Sequence, residues 1–319
     1  MRIFRHDNVG AADRGAVVAI GNFDGVHLGH RQVIERAGAI ATAAPAPHAV
    51  LTFEPHPRSV LHADALPFRL TPFRAKSRLI EGLGVDLLFT LHFDLAFAQR
   101  SAEDFVAHVL VDGLGARHVV VGYDFVFGHN RRGTPALLAE EGGKHGFGVT
   151  IVDPVATPGG PVYSSTRIRE HLAQGRPREA AALLGRFWEI DGRVERGDER
   201  GRTIGFPTAN LRLEDYLRPA AGVYAVRAGI EDGSGGVRWQ DGVANFGRRP
   251  TVGGSDLRLE VHLFDFSGDL YGRHLRVQLI DYLRPEQKFP GLDALKAQIA
   301  ADAQQAREIL SSLSPGQSG

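Results

Sequence analysis

Apolar residues in the first half of the chain gather into short unbroken runs. They mark predicted strands at 16–21, 48–54 (HAVLTFE), 85–91 (VDLLFTL), 117–123 (RHVVVGY) and 148–153 (GVTIVD). Runs of this length without polar alternation suit parallel strands covered on both faces. The intervening stretches 30–43, 72–83, 101–113 and 134–145 read as helices. Alternating strand and helix predicts an open, doubly wound, Rossmann-like α/β sheet that binds ligands at the carboxyl ends of its strands. Residues 164–185 read as one or two further helices, with Ser164, Ser165 and Thr166 as N-cap oxygens and Gly175 with Pro177 as the break.

Beyond residue 186 the pattern shortens and alternates, at 187–195, 222–230, 236–244, 257–264 and 274–282, with Gly-, Asp- and Ser-containing turns between. That predicts a small antiparallel β-barrel or sandwich. A terminal helix over 291–312 follows, with apolar spacing at Leu292, Leu295, Ile299 and Ile309, and then a tail, 314–319, expected to be disordered. The two halves share no repeat, so the expectation is two unlike domains, 1–185 and 186–313.

Composition narrows the function. A formal net charge of zero gives no bulk attraction to nucleic acid or to a membrane surface. Of the 37 basic residues only four are lysine, and arginine is the better bidentate partner for phosphate. With no cysteine, disulfides, thiolate catalysis and Cys-type zinc sites are excluded. The opening MRIFRHDNVG has no apolar leader segment, and no run approaches the ~18 apolar residues of a membrane span, so the expected location is the cytoplasm.

The candidate chemistry starts at residues 19–37, AIGNFDGVHLGHRQVIERA. A strand enters a glycine-containing loop and a helix follows directly, the layout that turns backbone N–H groups and a positive helix end toward phosphates. His27 and His30 at the helix mouth add side-chain donors for charge building on a phosphate under attack. GNFDGVHLGH (21–30) resembles the HxGH-type nucleotidyltransferase motif as carried by bacterial bifunctional riboflavin kinase/FAD synthetases. TFEPHP (52–57), VGYDFVFGHNRRG (121–133) and SSTRIRE (164–170) follow in that family's order.

The resemblance implies an FMN adenylyltransferase in the first domain. Its ATP site would comprise Gly21, Asn22, Phe23, Asp24, Gly25, His27 and His30, with Asp124, Arg131, Ser164, Ser165, Thr166 and Arg169. His27 and His30 would be catalytic, and His56 with Pro57 would lie near the flavin phosphate. Ser164–Thr166 equally suit a plain helix cap, which uses the same atoms; His56 equally suits a turn, and Asp124 a capping role. His6, His48, His62, His92 and His108 lie in no motif and read as surface residues.

A second motif, GRVERGDERGRTIGFPTANL (192–211), resembles the ATP-binding segment of riboflavin kinases. Its implied nucleotide contacts are Gly197, Arg202, Gly205, Pro207, Thr208 and Asn210. Thr208 and Asn210 are neutral oxygen donors of the kind Mg²⁺ accepts beside nucleotide phosphates. Glu260, in LEVHLFDF (259–266), matches the glutamate that acts as base in that family. Arg284 fits either a flavin or nucleotide contact or a surface ion pair. Ala75 stands before Lys76 where the family usually carries an acidic residue. The implied substrates are riboflavin, FMN and ATP, the last with Mg²⁺. Two rivals stand beside this reading: a transferase acting on another nucleotide acceptor, and a flavin- or nucleotide-binding regulator without chemistry.

Overall fold

The computed structural model describes residues 1–7, 9–62, 66–156, 160, 162–196, 205–231, 236–251 and 254–313, with backbone alone at 248–251 and 254–256. The chain forms two compact units, Met1–Leu66 with Thr71–Ser164, and Pro67–Leu70 with Ser165–Gly319. The expected tail, 314–319, lies outside the described residues.

In the first unit β1 (Arg2–Phe4), β2 (Val17–Ile20), β3 (His48–Glu54), β4 (Leu87–His92), β5 (His118–Gly122) and β6 (Gly148–Val152) lie in the order β1-β4-β3-β2-β5-β6. Every pairing is parallel. The unbroken apolar runs are explained by burial on both sides. Val18 and Ile20 join Leu51, Phe89 and Val121 in one core. Val17 and Ala19 join Val50, Leu88 and Val120 in the other. The helices are α1 (Leu28–Ala43), α2 (Pro57–Leu61), α3 (Phe73–Glu81), α4 (Ala102–Asp104, continuing as a π-helix over Phe105–Gly113) and α5 (Pro135–His145). Strand order reverses between β2 and β5, and a doubly wound sheet offers its ligand crevice at such a switch point.

The second unit contains α6 (Ser165–Ala173), α7 (Pro177–Leu184), β7 (Trp188–Arg193), β8 (Ala209–Arg212), β9 (Gly222–Glu231), β10 (Val237–Thr251), β11 (Gly254–Leu263), β12 (His274–Arg284) and α8 (Leu292–Ser311). Its sheet runs β7-β12-β9-β10-β11-β8, antiparallel at each pairing. An isolated bridge between Glu195 and Asn210 joins the two edges of the curled sheet. The compact division falls at Ser164/Ser165, whereas the sequence expectation put it at 185/186. Helices α6 and α7 fasten to the β-rich unit: Ala220 N–H donates to Leu172 O at 2.9 Å, and Arg178 pairs with Asp281 at 2.7 Å. Pro67–Leu70 joins the same unit, where Trp188 Nε1–H donates to Leu70 O at 2.8 Å.

Three local expectations need correction. β1 and β8 were not foreseen as strands. His48, read as a surface residue, is 7% exposed, with its ring nitrogens 3.0 Å from Ile34 O and 3.3 Å from Gly84 O. On α8 the buried positions are Asp302, Ala306 and Leu310, while Leu292, expected on the apolar stripe, is 53% exposed.

Candidate functional site

The loop after β2 is a strained turn held from both sides. Phe23 and Val26 sit at φ 46° and 41°, a region costly for side chains with a Cβ and most of all for a β-branched one. Both are buried in the core below α1, which keeps them there. Gly25 N–H donates to Thr71 Oγ1 at 2.8 Å, and Thr71 N–H donates to an Asp24 carboxylate oxygen at 3.0 Å. Asp24, expected in the ATP site, is 3% exposed and braces the turn through that bond. The Thr52 hydroxyl donates to Asn22 O at 3.2 Å and fixes the loop's outer limb.

That turn delivers His27 to the N-cap of α1, where its Nδ1 accepts from the His30 N–H at 3.2 Å. An accepting Nδ1 carries no proton, so the neutral ring holds its hydrogen on Nε2, which becomes a donor. His27 and His30 stack with centroids 3.6 Å apart and planes 17° from parallel, and Phe23 meets His30 edge-on at 5.4 Å. Two imidazoles thus stand as one plate at a helix N-terminus, where negative charge is favoured. Gly29 makes room for it: a Cβ there would lie 3.2 Å from His27 Nδ1 and 3.4 Å from Tyr163 Cβ. Gly29→Ala is accordingly expected to displace the His27 ring by a few tenths of an ångström and to cost adenylyl transfer about tenfold. Steady-state kinetics beside an unaltered riboflavin phosphorylation rate check this.

The other expected residues are distributed as follows. Gly21 needs its missing side chain, since a Cβ there would meet the Phe23 ring at 3.0 Å. Asp124 is exposed just past β5, on the far side of the switch point, with Oδ1 3.3 Å from where a Gly122 Cβ would be. Val33 of α1 approaches that same spot to 4.0 Å. Arg131 is exposed, at φ 58° in the 3₁₀ turn His129–Arg131. His56 caps α2 by accepting from Arg58 N–H at 3.1 Å, and Pro57 is the first residue of that helix. Ser164 ends the first unit, whereas Ser165, Thr166 and Arg169 begin the second on α6. Arg169 Nε–H donates to Phe68 O at 2.9 Å, and its guanidinium lies 5.5 Å over the Phe68 ring.

One residue missed in the sequence is Lys76, which is fully buried. Its ammonium sits 3.5 Å from Thr52 Oγ1 and 3.8 Å from Glu54. The Lys76 ammonium thereby braces the carboxyl end of β3 between the Asn22 loop and the His56 turn. A buried lysine needs such partners, and neither is visible at sequence distance.

In the second unit Pro207, Thr208 and Asn210 line a cavity of about 250 Å³ together with Phe266, Asp269 and Tyr271. Gly205 opens the segment at φ 89°, and Gly197 and Arg202 lie outside the described residues. Asn210 is 5% exposed, and its amide nitrogen faces Thr208 O at 3.5 Å, which turns Oδ1 away from that carbonyl. Strand register does the rest: Glu260 of β11 stands directly opposite Asn210 of β8 on one side and Asn245 of β10 on the other. Side chains of directly opposed residues share a face, with Cβ atoms about 4.5–5.5 Å apart. One carboxylate is thus flanked by two amides. Asn245, not singled out in the sequence, also donates to Glu286 at 3.4 Å.

Arg284 is bound to α8: its guanidinium contacts both Asp302 oxygens, at 2.7 Å from NH2 and 2.9 Å from Nε, and donates to Pro285 O at 3.0 Å. Asp302 is 4% exposed and also accepts from Gln298. Arg284→Ala would strand that buried carboxylate, and we expect a loss of about 3–5 kcal/mol from the unfolding free energy of this unit. Urea titration followed by Trp188 and Trp239 fluorescence checks it.

Comparisons with known proteins also divide the chain in two, with the change falling between residues 167 and 184. A family model described as FAD synthetase matches residues 10–167, and one described as riboflavin kinase matches 184–310. A bifunctional riboflavin kinase/FMN adenylyltransferase of Escherichia coli (strain K12) is 43% identical over 318 residues, covering 99% of this chain and 100% of the relative. The protein of that name from Bacillus subtilis (strain 168) is 40% identical over 304 residues, 93% of each chain. A crystal structure described as a macrolide-efflux protein from Streptococcus pneumoniae superposes with a TM-score of 0.83 at 33% identity, covering 98% of this chain and 99% of the other. Among the described residues no helix is long and apolar enough to cross a membrane.

Proposed function

This chain belongs to the family of bifunctional riboflavin kinase/FMN adenylyltransferases, and from that premise we propose how its residues divide the two reactions. The enzyme phosphorylates riboflavin with ATP to FMN and joins FMN to the AMP part of a second ATP, releasing pyrophosphate and forming FAD. The observation that carries the division of labour is that the His27 cap and the Glu260 row belong to different compact units.

In the kinase unit the ribityl 5′-hydroxyl attacks the γ-phosphorus of ATP while the bond to the β-phosphate oxygen breaks and ADP leaves. Glu260 orients that hydroxyl and takes its proton. Thr208 and Asn210 offer neutral hard oxygens at the cavity wall, a donor set that suits Mg²⁺ already sharing phosphate oxygens and water. When bound there, the ion would neutralise charge on the transferring phosphate. Thr208 and Asn210 would hold it, and the backbone of 205–208 would steer the phosphates.

In the adenylyltransferase unit an FMN phosphate oxygen attacks the α-phosphorus of ATP and pyrophosphate departs. No covalent chemistry is asked of the protein, so catalysis rests on positioning and on charge stabilisation. The Nε2–H of His27 and the stacked His30 serve that charge at the positive end of α1. Asp124 and Arg131, beyond β5, line the nucleotide side of the crevice; His56 and Pro57, beyond β3, serve the flavin phosphate. Ser164, the last residue of this unit, adds its hydroxyl to the triphosphate contacts.

Incubation with riboflavin, ATP and Mg²⁺, followed by chromatography of the flavins, tests the assignment. FMN should appear first and FAD after it. Unchanged riboflavin would favour the regulator or the transferase acting on another acceptor, and accumulation of FMN alone would remove the adenylyltransferase assignment.

A further inference from the structure

Two residues beyond Glu260 on the same strand, His262 projects from the same face of β11, as the period of a strand requires. Its Nδ1 lies 2.8 Å from the carbonyl oxygen of Pro207. A carbonyl only accepts, so Nδ1 must carry the hydrogen, and the imidazole donates to the backbone immediately before Thr208. The ring is half-buried and meets Phe206 edge-on at 5.5 Å and Phe264 at 6.1 Å. Phe264 in turn packs with Ala306 and Leu310 of α8. His262 is therefore oriented by aromatic neighbours on both sides rather than left to rotate.

The consequence lies in what the two ends of this bond carry. Pro207 and Thr208 precede β8, and a short β8 pairs with β11 only over Ala209–Arg212. Within that ladder Asn210 is set against Glu260, but Thr208 lies outside it. The His262–Pro207 bond extends the tie between the two strands past the end of the ladder, to the residue that stands beside the Mg²⁺–ATP position. We infer that His262 is a positioning residue for phosphoryl transfer: it fixes Pro207 and Thr208 in register with Glu260, so that the nucleotide end and the base end of the reaction are held by one strand. The inference rests on the reading of Thr208 and Asn210 as nucleotide–metal contacts.

Three variants of the full chain test it. His262→Leu keeps bulk and loses the donor, while His262→Asn places an amide N–H close to where Nδ1 stands. His262→Leu should raise the KM for ATP about tenfold, the worth of one good hydrogen bond and the order it imposes, with the KM for riboflavin unmoved. His262→Asn should return it to within about threefold of the parent, and FMN adenylylation should be the same in both. General loosening of the barrel would move both kinase KM values together and would not be rescued by asparagine; either result overturns the inference. Thr208→Val, run alongside, isolates the premise. If it leaves the ATP KM unaltered, the site reading fails and takes the inference with it. If it raises the KM while His262→Leu does not, only the inference fails. Should His262→Leu not fold, ¹⁵N spectra of the histidines in the unmodified protein decide: a protonated Nδ1 on His262 supports the bond, and an Nε2–H tautomer refutes it.

Discussion

His27→Ala is expected to lower FMN adenylylation by roughly a hundred- to a thousandfold while riboflavin phosphorylation continues at its usual rate. Two losses are combined in that variant. The ring supplies a donor toward phosphate, and its Nδ1 supplies the cap on the His30 N–H. Losing the cap costs about 0.5–2 kcal/mol of helix stability. His27→Asn separates the two, because asparagine is among the best N-cap residues yet its amide is too short to reach where Nε2 stands. The expected pair of results is a melting temperature restored in His27→Asn and an adenylylation rate that stays low. Recovery of both together would mean that His27 matters only as a cap, and the transition-state donor would have to be sought elsewhere in the loop. The kinase reaction, measured in the same preparations, guards against a general folding defect.

That separation was only half legible in the sequence. GNFDGVHLGH announces phosphate chemistry through its glycines and histidines, and the strand before it announces burial. What it hides is that Asp24 reaches to Thr71, 47 residues away, so that one of its polar residues also braces the turn. The strain at Phe23 and Val26 is equally hidden, because nothing local about Val26 suggests a positive φ. Long, repeated patterns were easy: each parallel strand from β2 to β6 is an apolar run, and each lies where the run does. Short or mixed segments were not. β1 is three residues at the sheet edge, with two of them exposed, and carries almost no hydrophobic signal. β8 was concealed because its residues read first as a phosphate-binding motif.

Long-range polar partnerships account for most of the rest. Arg284 fits a ligand contact or an ion pair in the sequence, and only α8 reveals Asp302 as its ionic partner. His48 looks like a surface residue because histidine usually is one, yet Gly38 on α1 leaves the space its ring fills. On α8 the apolar spacing that begins at Leu292 drifts around the helix. The face that is buried is the one carrying Asp302, Ala306 and Leu310, chosen by the ion pair with Arg284 as much as by hydrophobicity. The loan of Pro67–Leu70 to the second unit is of the same kind. Its backbone pairs with 215–217, through Arg69 N–H to Asp215 O at 3.3 Å and Leu217 N–H to Arg69 O at 2.8 Å, which no local pattern encodes.

Glu260→Gln addresses the other reaction. The amide is nearly isosteric, and the directly opposed neighbours, Asn210 and Asn245, are neutral amides, so the change strands no cation in that row. Folding should therefore be unaffected, and the change removes the capacity to accept a proton without removing a hydrogen-bonding oxygen. Riboflavin phosphorylation is expected to fall by about a hundred- to ten-thousandfold in kcat, the range for loss of a positioned general base. The KM for ATP should change little, because the nucleotide contacts lie on Pro207–Asn210 across the strand pair and are not part of the substitution. Adenylylation of supplied FMN should continue, so the variant fed riboflavin makes almost no FAD while the variant fed FMN makes it normally. A kcat within about threefold of the parent would show that Glu260 does no more than orient the hydroxyl. The proton would then pass directly to phosphate or solvent, and the row Asn210–Glu260–Asn245 would be a binding element rather than a catalytic one.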